Sequence, residues 1–99
     1  MNYANPMHFE WDDTKSETCF QERGFDFAYA AKALFDPNRL IRADNRRVYG
    51  EDRYQLMEMI HQRLFVVVYT PRPESLRIIS VRKANQREAK FYENSTHDN

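Results

Sequence analysis

The chain has 99 residues, of which 41% are hydrophobic and 14% aromatic, a composition that suits one compact domain with a modest core and excludes a disordered or low-complexity chain. Its single cysteine, Cys19, excludes an internal disulfide framework, and His8, His61 and His97 are too scattered to complete a zinc spacing with it. No run approaches the roughly 18 apolar residues of a membrane span, and "MNYANPMHFEW" lacks a secretory leader's basic region and apolar core, so a cytoplasmic protein without a membrane partner is expected.

A formal net charge of +0 conceals an asymmetry. Residues 1–36 carry three bases against seven acids, and the remainder carries twelve bases against eight acids. Eleven of the fifteen bases are arginine, whose planar fork matches phosphate oxygens two at a time. The bias points towards nucleic acid or an acidic partner, set against the plainer reading of a solvated charged surface.

In chain order, "HFEW" at 8–11 reads as a short strand. "DDTK" then starts a helix, with Asp12 or Asp13 as N-cap, that runs to about Arg23 and stops at Gly24. Asp26 caps a second helix, in which Phe27, Ala30, Ala31, Leu34 and Phe35 make one apolar stripe until "DPN" at 36–38 breaks it. A short extended piece at 40–42 and a polar loop, "ADNRRVYGED" at 43–52, follow. Three β segments are expected at 53–60, 64–70 and 76–81, joined by "HQR" and "PRPES" as antiparallel hairpins. "LFVVVYT" is apolar on both parities and so reads as a central strand buried on both faces. A last helix is expected over about 83–93, bearing Ala84, Ala89, Phe91 and Tyr92, before a disordered polar tail, "NSTHDN", at 94–99.

The expected fold class is α+β, with two N-terminal helices packed on an antiparallel sheet of about four strands and a C-terminal helix. One domain spans 1–99, with an ordered core of about 8–93. The sheet face away from the first two helices is left open.

Neither a glycine-rich phosphate loop nor a nucleophile elbow is present, and no metal or cofactor is expected. Cys19 reads as a small core residue, His61 as a turn residue and Tyr69 as sheet packing. The basic positions around the strands carry more. Arg53 opens one strand, Arg72 sits in a connection, and Arg77 and Arg82 bracket the last strand. Five apart, Arg77 and Arg82 point to opposite faces of a regular strand. Arg82 with Arg53 makes a candidate phosphate clamp, against the alternative of separate surface arginines.

"FEWDDTK", "ERGFDFAYAAKALFD", "GEDR", "LFVVVYTPR", "RIISVRKA" and the pair Glu88 and Tyr92 occur in an order that resembles the BrnT-type toxins of bacterial toxin–antitoxin systems, over residues 8 to 92. The resemblance implies a RelE-like fold and metal-independent RNA cleavage. It also implies a BrnA-like ribbon-helix-helix antitoxin, with operator DNA contacted mainly through that antitoxin. The sequence departs from the family at Glu22, Arg23 and Gly24, where Lys-His-Gly is usual, and at Asp26, Phe27, Ala28, Tyr29 and Ala30, where Ser-Phe-Glu-Glu-Ala is usual. The basic positions match. Arg53, Arg72 and Arg82 are therefore the catalytic candidates, stabilising the phosphate while the 2′-hydroxyl attacks. Arg77, Lys83 and Arg23 are RNA-binding candidates, and Glu51, His61 and Tyr69 are candidates for proton transfer. Loss of the family's histidine leaves a second reading open: a non-catalytic, degenerate toxin that serves as the antitoxin-binding subunit of a repressor complex.

Overall fold

The computed structural model describes residues 8–32, 34 and 36–96. Its elements run β1 (His8–Trp11), α1 (Asp13–Arg23), α2 (Phe27–Ala31), β2 (Leu40–Ala43), β3 (Tyr54–Ile60), β4 (Arg63–Pro71), β5 (Ser75–Lys83) and α3 (Gln86–Thr96). The five strands form one sheet in the order β1-β5-β4-β3-β2. The α+β class holds, but the expected sheet of about four antiparallel strands is corrected to a mixed five-stranded one, because β1 pairs parallel with β5 at the edge. The meander β2-β3-β4-β5 is antiparallel throughout.

Local chemistry explains the helix ends. Asp12 caps α1 by accepting from the Thr14 and Lys15 backbone N–H groups at 2.9 and 3.2 Å, and Gly24, at φ +86°, closes it in the left-handed conformation that glycine adopts without strain. Asp26 caps α2 through the Tyr29 N–H at 2.9 Å. Helix α2 is shorter than its apolar stripe suggests. It ends at Ala31, although Leu34 is still buried; Phe35 lies outside the described residues, as do 1–7 and 97–99. The last helix also differs from expectation. Residues 83 and 84 do not begin it, because Lys83 still pairs with Phe65 in the sheet. Instead Asn85 and Glu88 bond reciprocally, Glu88 N–H to Asn85 Oδ1 at 2.8 Å and Asn85 N–H to Glu88 Oε1 at 3.0 Å, a capping box that fixes the start. The helix then continues through Thr96, so the first residues of the expected tail are helical.

Both sheet faces are covered. Helices α1 and α2 pack Cys19, Phe27, Ala30 and Ala31 against Leu56, Phe65, Val67 and Val81. On the other face Tyr92 of α3 meets Met57, Leu64 and Val66, so the face expected to stay open is closed along part of its length. Strand β4 is the centre, with Leu64 to Thr70 all buried, as its double-sided apolar pattern predicts.

Candidate nucleic-acid interface

Strand β5 contains an irregularity that reorganises its arginines. Tyr69 pairs with Ile78 while Val68 pairs with Ser80, which leaves Ile79 as an extra residue. Arg77 stands opposite Thr70 and Arg82 opposite Val66; four residues apart on regular β4, those two positions share a face. The expectation that Arg77 and Arg82 face opposite ways is therefore corrected: the bulge restores their parity. Both lie on the α3 side.

Sharing a face does not bring them to one point. Val66 and Thr70 are roughly 13 Å apart along the strand. Arg82 sits at the α3 end, where its fork grips Glu88 with two bonds of 2.7 and 2.8 Å. Glu88 is nearly buried, and the Arg82 guanidinium, aided by the Asn85 N–H, holds its carboxyl down at about 2. Arg77 sits at the other end, bonded at 3.1 Å to Glu10 on the parallel edge strand, which also accepts from Ser75 at 2.8 Å. Arg53 and Arg82, paired in the expected clamp, hold different carboxylates, Glu51 and Glu88.

Arg53 and Arg72 instead converge on Glu51. Arg53 Nε lies 3.2 Å from one carboxylate oxygen and Arg72 Nη1 lies 3.3 Å from the other. The Arg53 hydrogen bond, followed by that of Arg72, holds the Glu51 carboxyl below its ordinary range. The Arg53 guanidinium also stacks over the Tyr49 ring at 4.1 Å, which restrains its plane. Glu51, Arg53 and Tyr49 line a cleft of about 540 Å³ formed by the 43–54 segment. Asp44 ties that segment down: its N–H donates to the Arg53 carbonyl at 2.8 Å, and its buried carboxylate takes two bonds from Arg46 at 2.7 and 2.8 Å. Loop position alone gave Arg46 no role; the structure makes it an anchor.

The other sequence candidates lie elsewhere. Arg23, His61 and Lys83 line a second cleft, of about 660 Å³, on the α1–α2 side. Tyr69 is buried in the core, stacked on Tyr54 at 5.6 Å, and burial pushes its phenol up. Sequence reasoning missed Tyr49 and Arg63, which stood in a loop and a hairpin connection and had no apolar pattern to mark them. It also missed that Glu10, Glu51 and Glu88 are the partners of the arginines.

The protein is thus a small α+β domain with arginines along one sheet face, two of them meeting on one carboxylate at the lip of a cleft, and guanidiniums are groups suited to phosphate. The family model for the ribonuclease toxin BrnT of type II toxin–antitoxin systems matches residues 11–88, and the chain belongs to that family. Membership makes it a toxin of the ribonuclease kind, with RNA as substrate and an antitoxin as partner. A search of curated proteins finds no match. Among the described residues no helix is long and apolar enough to cross a membrane.

Proposed function

We propose that the chain cleaves RNA without a metal, at the cleft where Arg53 and Arg72 meet Glu51. The convergence of two guanidiniums on one carboxylate, at 3.2 and 3.3 Å, carries this reading. An incoming phosphodiester takes over the two cations. Glu51 then loses the contacts that keep its pKa low and becomes the stronger base just when a 2′-hydroxyl arrives. It accepts the hydroxyl proton, the 2′-oxygen bonds to phosphorus, and the P–O5′ bond breaks. The leaving oxygen takes a proton from solvent, so the products are a 2′,3′-cyclic phosphate and a 5′-hydroxyl. Arg53 and Arg72 neutralise the charge that grows on the phosphoryl oxygens. Arg77 extends the cationic face towards the flanking backbone, and Arg82 positions α3.

The test is cleavage of a labelled RNA by purified, folded protein with a chelator present. Arg53→Ala is expected to lower cleavage by about 100-fold or more, and Arg53→Lys to restore only part of it. Glu51→Gln is expected to lower the rate while tightening RNA binding, because it removes a competitor for the two cations. Full activity in Arg53→Ala and Arg72→Ala refutes the assignment. An inactive wild type favours the non-catalytic, antitoxin-binding reading. The antitoxin is proposed to be a BrnA-like ribbon-helix-helix protein that carries the operator contacts, supported by the order of family motifs. Co-purification with such a neighbour, weakened by salt where rim charges dominate, checks it.

A further inference from the structure

The second cleft lies beyond the reaction proposed above. It sits on the α1–α2 face, at the β3–β4 turn, so the length of β3 (roughly 20 Å) and the sheet itself separate it from Glu51. Arg23 comes from the end of α1, Arg63 and Lys83 from the sheet, and Tyr29 and His61 supply two rings. Cross-strand pairing puts Arg63 beside Ile60 and Lys83 beside Phe65, both core residues of this face, which turns the two cations to the same side.

Charge here is arranged differently from the arginine face. The arginines proposed for the reaction are each bonded to a carboxylate. Among the described residues Arg63 and Lys83 have no ion pair, and Arg23 spends one N–H on the Val81 carbonyl at 2.8 Å. Asp26, which caps α2 through the Tyr29 N–H at 2.9 Å, is the one carboxylate in the lining. The cleft therefore sets three cations against one carboxylate, and its volume of about 660 Å³ falls within the range of small-molecule sites.

The rings add a second observation. Tyr29 and His61 lie nearly parallel, 28° between planes and 6.4 Å between centroids. His61 and Gln62 both have positive φ, 48° and 67°. A two-residue turn of that shape prefers Asn-Gly, and neither His nor Gln relaxes it. Backbone strain held at a cleft wall, where it aims an aromatic ring inward, is the kind that function retains.

We infer that this cleft binds a nucleoside phosphate, its base on the Tyr29–His61 rings and its phosphate on Arg63, Lys83 and Arg23. The nucleotide is either free or one residue of an RNA strand. Flat rings suit a base of any identity, and clustered cations suit a single phosphate dianion or successive diesters.

The experiment is amide chemical-shift mapping on the full chain with three probes: inorganic phosphate, 5′-AMP, and a short oligodeoxynucleotide that has no 2′-hydroxyl to react. Shifts at Tyr29, His61, Gln62, Arg63 and Lys83 are expected with both nucleotide probes if free nucleotide is taken, and with the oligomer alone if the cleft reads a strand. Arg63→Ala with Lys83→Ala is expected to weaken the responding probe by tenfold or more and to flatten its salt dependence. Tyr29→Ala is expected to weaken it by roughly tenfold. Arg53→Ala leaves these shifts in place, so the cleft stands or falls separately from the reaction centre. Shifts confined to the Glu51 cleft overturn the inference. So does equal binding of inorganic phosphate and 5′-AMP, which leaves the rings no part.

Discussion

Glu58 sets a stability penalty that grows with pH, and replacing it is expected to remove that penalty. Its side chain is 0% exposed on the α1–α2 face of β3, and neither carboxylate oxygen has a hydrogen-bond partner among the described residues. Burial pushes the carboxyl up to about 8, and the charge of Asp36 adds to the shift. A raised acid holds its proton in the folded state while the unfolded chain has already released it. Stability is therefore full below about pH 4.5 and is lost as pH rises towards 8. The rise from 4.5 to about 8, at about 1.4 kcal/mol per pH unit, makes the whole loss about 5 kcal/mol, of which about 3 kcal/mol is gone by pH 7. Against the roughly 5–15 kcal/mol that holds a small domain together, that is a large share. Glu58→Met fills the same space without a charge, and Glu58→Gln removes the titration while keeping a buried polar group. Urea unfolding at several pH values between 4.5 and 8.5 is the assay. Wild type should lose stability across the window, and the Glu58→Met profile should be flatter and lie several kcal/mol higher at pH 8. Wild type and variant differ at this residue alone, so the difference between the curves isolates Glu58. Parallel curves for wild type and both variants would falsify the account of this residue.

The acid limb should belong to Glu88. Its carboxyl is held at about 2, so its contribution is present above about pH 4.5 and is lost as pH falls towards 2; Glu88→Gln should cost about 3 kcal/mol at neutral pH and flatten acid unfolding. Identical acid midpoints in wild type and variant would remove Glu88 from that role. Gly24→Ala meets no atom within 4 Å, so its cost is that of the left-handed backbone alone, about 1 kcal/mol. A thermal melt should read this as a drop of roughly 4–8 °C, with Gly24→Asn falling less; an unchanged melt would mean that α1 ends by other means.

Features decided by near neighbours were legible in the sequence. The caps at Asp12, Gly24 and Asp26 depend on groups within four residues, and the double-sided apolar run of β4 announces a central strand. The start of α3 was also readable, because "NQRE" spells a capping box, but the strong helix formers around Lys83 competed with it. Less legible were the arrangements that only distant contacts decide. The parallel pairing of β1 with β5 joins residues more than sixty apart. The bulge at Ile79 falls just past the part of β5 that also pairs with β1, and nothing inside "RIISV" marks it.

The site was legible as residue types and not as pairs. Arg72 finds Glu51 21 positions away, and Arg77 finds Glu10 67 positions away, so no spacing in the chain identifies the partners. Yet the partner decides what each arginine can do. Arg82 gives both sides of its fork to Glu88 at 2.7 and 2.8 Å, and the same carboxylate caps α3. A phosphate that displaced Glu88 would also have to undo a helix cap. Arg53 and Arg72 each give one longer contact, 3.2 and 3.3 Å, to a carboxylate 29% exposed at the edge of a cleft. A phosphate takes these two more readily, because a single contact near solvent is weaker than a bidentate one in a nearly buried pair. On the mechanism proposed above, the division of labour follows from that difference: Arg82 secures α3, and the pair at Glu51 exchanges its carboxylate for RNA.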